Sequence, residues 1–172
     1  MKSKLPKNLI IDSGRHKTEY RLEPELVGKP REKLSPDDEI VADARQLDCV
    51  VVRHHEDEGA KPESPAASND KAAPGRPVYR MGRHGSIAIP TGRLFVRMDP
   101  AVRLADQAEN LKESGLHIDK SYDWAPNAGW VRGDSDDFSD VLSKIDLISD
   151  RLKAHVEPEL ISIAERKLDT AR

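Results

Sequence analysis

One cysteine and seven aromatic residues in a chain of 172 set the first limits on what this protein can be. Cys49 alone excludes an internal disulfide framework and any site that needs paired thiolates. Its setting, Asp48-Cys49-Val50-Val51-Val52, reads as a strand or core position rather than a reactive thiol. No run approaches the roughly 18 apolar residues that span a bilayer, and the apolar stretch within residues 1–11 is too short for a secretory signal. The chain therefore reads as soluble and cytoplasmic, with no membrane among its partners. Charge of one sign is missing too: 28 basic residues face 31 acidic ones, spread along the chain. Without a basic stripe to neutralise phosphates, nucleic acid is not an expected partner.

The aromatic residues present are unevenly placed. Phe95, Tyr122, Trp124, Trp130 and Phe138 all lie beyond residue 91, so the bulk that builds a core is concentrated in the second half. Residues 60–77 hold four prolines and no aliphatic side chain larger than alanine, which cannot offset its own ordering entropy and reads as a linker or mobile loop. Ahead of it, residues 1–58 offer short strands at Asn8–Ile11 and Leu47–Val52 in an otherwise irregular extension. Behind it, residues 78–91 suit a β-hairpin around Gly82-Arg83-His84-Gly85, with Pro90 stopping its second strand.

From Gly92 the pattern sharpens. Arg93–Met98 is a β-rich run ended by Asp99-Pro100, a capping pair that opens a helix whose apolar positions are Ala101, Leu104, Ala105, Ala108 and Leu111. Gly115 ends it, Leu116–Tyr122 is a strand, and Ala125-Pro126-Asn127 turns into another at Ala128–Arg132. Phe138, Val141, Leu142, Ile145, Ile148 and Leu152 follow at helical spacing, and a final strand takes Val156 and Leu160–Ala164. Residues 92–166 thus predict a ferredoxin-like β-α-β-β-α-β domain, an α+β fold with an antiparallel four-stranded sheet and two helices on one face.

The same stretch resembles the inhibitor-type propeptide domain of subtilisin-like serine proteases. Gly92–Met98 with Asp99-Pro100-Ala101-Val102 is similar to the family's opening strand and turn, Gly115-Leu116 to the end of its first helix, and Ala125–Val131 to its Pro-Asn-Ala turn and third strand. Ala154-His155-Val156-Glu157-Pro158-Glu159 is similar to its closing acidic proline segment. The resemblance implies an inhibitor or folding assistant that docks on a subtilisin-like protease through the open sheet face. It also implies that the tail, Lys167, Leu168, Asp169, Thr170, Ala171 and Arg172, enters the substrate cleft. It covers close to half the chain, and the family's secretory start is missing, which points to a separate protein acting in trans or a released precursor piece. A second reading is a non-catalytic regulatory or assembly module of a larger complex, with residues 1–91 as the binding arm.

Catalytic and metal readings are weak beside these. Ile10-Ile11-Asp12-Ser13-Gly14 and His84-Gly85-Ser86 look like protease triad motifs, yet no nucleophile segment follows, and a turn explains the first better. Adjacent side chains in His54-His55-Glu56-Asp57-Glu58 point to opposite sides of an extended chain, and Asp134, Asp136 and Asp137 lack calcium-loop spacing. Neither enzymatic activity, nor a metal, nor a cofactor is expected. Strand parity instead supplies a binding face: with Leu94, Val96, Met98 and Val131 turned to the helices, Arg93, Phe95, Arg97, Ala128, Trp130 and Arg132 share the open side. Phe95 and Trp130, flanked by Arg97 and Arg132, then form a hot-spot-like patch, unless residues 78–91 fold back and cover both rings. Limited proteolysis should cut within residues 60–77 first; a chain whose earliest cuts fall elsewhere contradicts the linker reading.

Overall fold

The structure, a computed structural model, describes residues 5–12, 14–53, 75–134 and 138–164. Period-two alternation dominates it. Nine strands are joined in one antiparallel sheet: β1 Asn8–Asp12, β2 Lys17–Pro30, β3 Ile40–Ala44, β4 Cys49–Arg53, β5 Arg76–Met81, β6 Ile87–Arg97, β7 Leu116–Tyr122, β8 Ala125–Gly133 and β9 His155–Ile163. The sheet order is β3-β4-β2-β5-β6-β8-β7, with β1 added to β2 and β9 to β6.

Two long strands organise the sheet because each has one edge shared by two neighbours. On β2, residues 17–21 pair with β1 and residues 26–30 with β4, while β5 follows the other edge. On β6, β9 follows one edge from Ile87 to Arg97, while β5 takes residues 87–88 and β8 takes residues 93–97 of the other. Register shifts at Leu22/Val27 and Pro90/Leu94 accompany these forks, and such bulges increase local twist and bend a sheet.

The result is a sheet curled into a half-barrel. Its hollow is filled by Leu26, Ala42, Val51, Val78, Ile87, Ile89 and Ile163, together with Ala44 and the buried Cys49. The opposite side carries the helices α1 Ala108–Glu113, α2 Phe138–Ser143 and α3 Ile145–Leu152. Against these, Leu94, Val96, Met98, Leu116 and Val131 of the sheet pack on Leu104, Leu111, Val141 and Ile148. A smaller cluster of Leu9, Tyr79 and Leu142 ties β1 to α2.

The ferredoxin-like α+β fold expected for residues 92–166 is therefore not the fold of this chain. Its four strands are one end of a mostly β, nine-stranded sheet, and the presumed irregular extension supplies four strands of that sheet. The reason lies at Pro90, which does not stop its strand. Backbone N–H and C=O of one strand residue point to the same edge. The Pro90 carbonyl accepts from the Arg76 Nη1 at 3.4 Å on the forked edge, so its missing N–H falls where no ladder needs a donor. β6 runs through, and residues 78–89 extend the sheet sideways instead of folding over it. Two helix readings change as well. The first begins only with a short 3-10 turn at Leu104–Gln107, because Asp99 accepts from the Ala101 N–H at 2.9 Å and holds a turn. The second is broken at Lys144 into α2 and α3.

Tyr79 is fully buried, its hydroxyl donating to the Pro6 carbonyl at 3.0 Å, and burial pushes its pKa far above 10.0. Burial likewise raises the Cys49 thiol above 9.0. Both groups hold their proton more tightly when folded than unfolded, so the stability they confer is complete below these values and is lost as pH rises past them. Thermal unfolding should occur at progressively lower temperature from about pH 9 to about pH 11. Tyr79→Phe should remove the upper part of that decline and cost about 1 kcal/mol at neutral pH by stripping the Pro6 carbonyl of its donor. A midpoint that stays flat over that range contradicts this assignment.

Candidate functional site

Alternation along β6 sends Ile87 and Ile89 into the hollow of the half-barrel, and the next residues on the same side are Thr91, Arg93, Phe95 and Arg97. Register completes the row: Arg93 faces Arg132, Phe95 faces Trp130 and Arg97 faces Ala128 on β8, while Phe95 faces Glu157 and Arg97 faces His155 on β9. The Phe95 and Trp130 rings meet edge to face, with centroids 5.1 Å apart at 61°, a favourable quadrupole arrangement. Trp130 Nε1 donates to the Tyr122 hydroxyl at 2.9 Å, and Tyr122 lies 5.1 Å from the ring of Trp124, which is 82% exposed. The Lys120 ammonium sits 5.3 Å over Tyr122.

Arg93 holds this row in place. Its guanidinium lies 4.8 Å over Trp130, and its Nε is 3.3 Å from Asp119 and 3.6 Å from Glu159. Nε is buried and its N–H aims at neither carboxylate, so charge proximity rather than a hydrogen bond there stabilises the group. Arg93 and Arg132 lie directly opposite each other, a repulsive pairing that Asp119 offsets, 3.8 Å from Arg132. Glu159 also accepts from the Thr91 hydroxyl at 2.6 Å, and Glu157 is paired with His155 at 2.9 Å.

The structure thus brings Phe95, Trp130 and Arg132 together with Arg93. Arg97 stays at the margin, exposed and without an ion pair among the described residues. Lys167, Leu168, Asp169, Thr170, Ala171 and Arg172 lie outside the described residues, as do the histidine-rich stretch from His54 to Glu58 and Ser135, Asp136 and Asp137. Asp12 accepts from the Gly14 N–H at 2.9 Å, which, with Lys17, lowers its pKa and makes this motif a turn. Asp134 is paired with His117 at 2.8 Å. Among the described residues no group of three or more His, Cys, Asp or Glu could hold a metal ion, and no helix is long and apolar enough to cross a membrane.

Tyr122 and Lys120 escaped the sequence reading for one reason. Counting alternately from Ile118, which packs with the helices, puts Lys120 and Tyr122 on the helix side. A register shift between Ile118 and Lys120 reverses that parity, and no glycine or proline marks it. Glu157 and Glu159 were legible as an acidic pair, but their side of the sheet follows only from pairing with β6.

Replacing Arg93 by Met should cost about 1–2 kcal/mol, because Glu159 is left partly buried without its cation and Asp119 keeps only Arg132, 3.8 Å away. Arg97→Ala should change stability by less than about 0.5 kcal/mol. Equal effects in urea unfolding would contradict the anchoring role of Arg93. Comparison with protein-family models, curated proteins and solved structures finds no match for this chain.

Proposed function

We propose that this protein is a non-catalytic binding module that docks a subtilisin-like serine protease on the aromatic and charged face of β6, β7, β8 and β9, acting as its inhibitor or folding assistant. The observation that carries the docking face is the row Phe95, Trp130, Tyr122 and Trp124, which leads from a half-buried aromatic pair to an indole that is 82% exposed. Aromatic and arginine side chains of this kind dominate the energetics of protein interfaces, and a polar rim such as Lys120, Arg97 and Arg132 suits one. The choice of partner rests on the resemblance of residues 92–159 to the propeptides of these proteases.

A second reading, a regulatory or assembly module of a larger complex, is favoured by the incorporation of residues 8–53 into the same sheet. It uses the same face with another partner.

Inhibition of purified subtilisin-like proteases, with co-purification of the complex, tests the proposal. Trp130→Ala should weaken binding by about 2 kcal/mol, roughly thirtyfold, while circular dichroism shows the fold retained. Trp124→Ala removes a ring with little burial to lose and should weaken binding several-fold without affecting stability. Absence of inhibition by the intact protein across the panel sinks the protease reading. Full binding by both variants sinks the docking face.

A further inference from the structure

The forked edge of β6 leaves a gap in the sheet. Between Ala88, which pairs with β5, and Arg93, which pairs with β8, that edge has no strand partner. A cleft of about 180 Å3 opens there, lined by Arg76 from the start of β5, Thr91 and Arg93 from β6, Arg132 and Gly133 from the end of β8, and Phe138 from α2.

Three arginines line this cleft, and two of them, Arg93 and Arg132, share the carboxylates of Asp119 and Glu159. Asp119 and Glu159 both lie on Arg93, and Arg132 reaches only the same Asp119, at 3.8 Å. Arg76 makes no ion pair among the described residues. Its guanidinium stacks 4.5 Å over the Phe138 ring, and only Nη1 is used, at 3.4 Å from the Pro90 carbonyl. Asp134, the next residue after Gly133, is turned to His117. Among the described residues, the lining of the cleft carries three arginines and no carboxylate, planar guanidinium groups suit two-point contact with oxygen anions, and Phe138 limits water on one side. The volume is ample for a carboxylate or phosphate group.

We propose that this cleft is an oxyanion site, in which Arg76 and Arg132 bind a carboxylate or phosphate group above Arg93. Two sources fit: a free small anion, or an acidic side chain presented by a protein segment. The site adjoins the row of Phe95, Trp130 and Trp124 through Arg93 and Arg132, but anion binding there stands whether or not that row binds a protease.

The experiment follows the backbone amides of Gly92 and Gly133 by two-dimensional NMR of the full chain at fixed ionic strength. Inorganic phosphate is titrated in one series and a blocked pentapeptide with a central glutamate in another, the glutamine peptide serving as control. Saturable shifts with phosphate, half-complete near or below about 1 mM, assign a free anion as a ligand. Saturation with the glutamate peptide alone assigns a presented side chain. Arg76→Gln and Arg132→Gln should each weaken the response at least about tenfold. Absence of saturable shifts with both probes in the unmodified protein overturns the proposal, independently of how the variants fold, and so does an undiminished response in a folded Arg76→Gln protein.

Discussion

The division of one edge of β6 between two neighbours governs this molecule. A strand whose two edges are each followed by a single partner extends an evenly twisted ladder. β6 instead keeps β9 along its whole length while β5 and β8 part company on the other side. The sheet must open at the parting, and its two ends are free to twist differently. One end curls around Leu26, Val51, Ile87 and Ile89, whereas the other stays open beside the helices. Pro90, with no N–H to offer, stands at the point where none is required, and Gly92, at φ +90°, takes the left-handed conformation the bulge imposes.

This geometry explains why one side of one strand changes character midway. Ile87 and Ile89 are fully buried because the curl closes over them, and the next positions on that side are Thr91, Arg93, Phe95 and Arg97. The switch from aliphatic to charged and aromatic residues falls at the fork. Beyond it no described strand forms a second layer over the face, so among the described residues apolar side chains there remain partly accessible and polar ones can pair across strands, as Arg93, Asp119 and Glu159 do. The helix side shows no such change: Ala88, Leu94 and Val96 are all fully buried, because α1, α2 and α3 and the cluster around Tyr79 cover it throughout.

The legible and illegible parts of the sequence divide along the same line. Strands at Asn8, Cys49, Arg93 and Leu116, the helical spacing from Phe138, and the turn at Gly115 were readable, because each is set by local alternation, apolar period or a residue with one conformational use. The facing of Phe95 and Trp130 could be derived from parity on two strands that carry no bulge between them. What could not be read is whatever depends on partners distant in sequence. The fourteen-residue β2 alternates with period two only from Lys17 to Glu23, and Pro24 with the residues after it hides its continuation. That second half is held by β4 and β5, so its strand character is tertiary in origin. The same applies to the nine-strand count: a βαββαβ order fits a free-standing four-stranded sheet or one end of a larger sheet equally well, and only the continuation of β6 through Pro90 decides between them.

Order in the aromatic row has a consequence for binding. A partner that meets flexible rings must fix them, at about 0.5–1.5 kcal/mol for each immobilised side chain. Here Trp130 is already held from three directions, by Phe95 at its edge, by Arg93 over its face and by Tyr122 at its indole nitrogen. Arg93 is in turn fixed by carboxylates from β7 and β9, strands on opposite sides of the β6–β8 pair. The framework that closes the sheet thus also presets the face. What a partner has to order is reduced to the outermost residues, Trp124, Lys120 and Arg97, and affinity should depend on how well a surface fits a rigid centre more than on the area it covers.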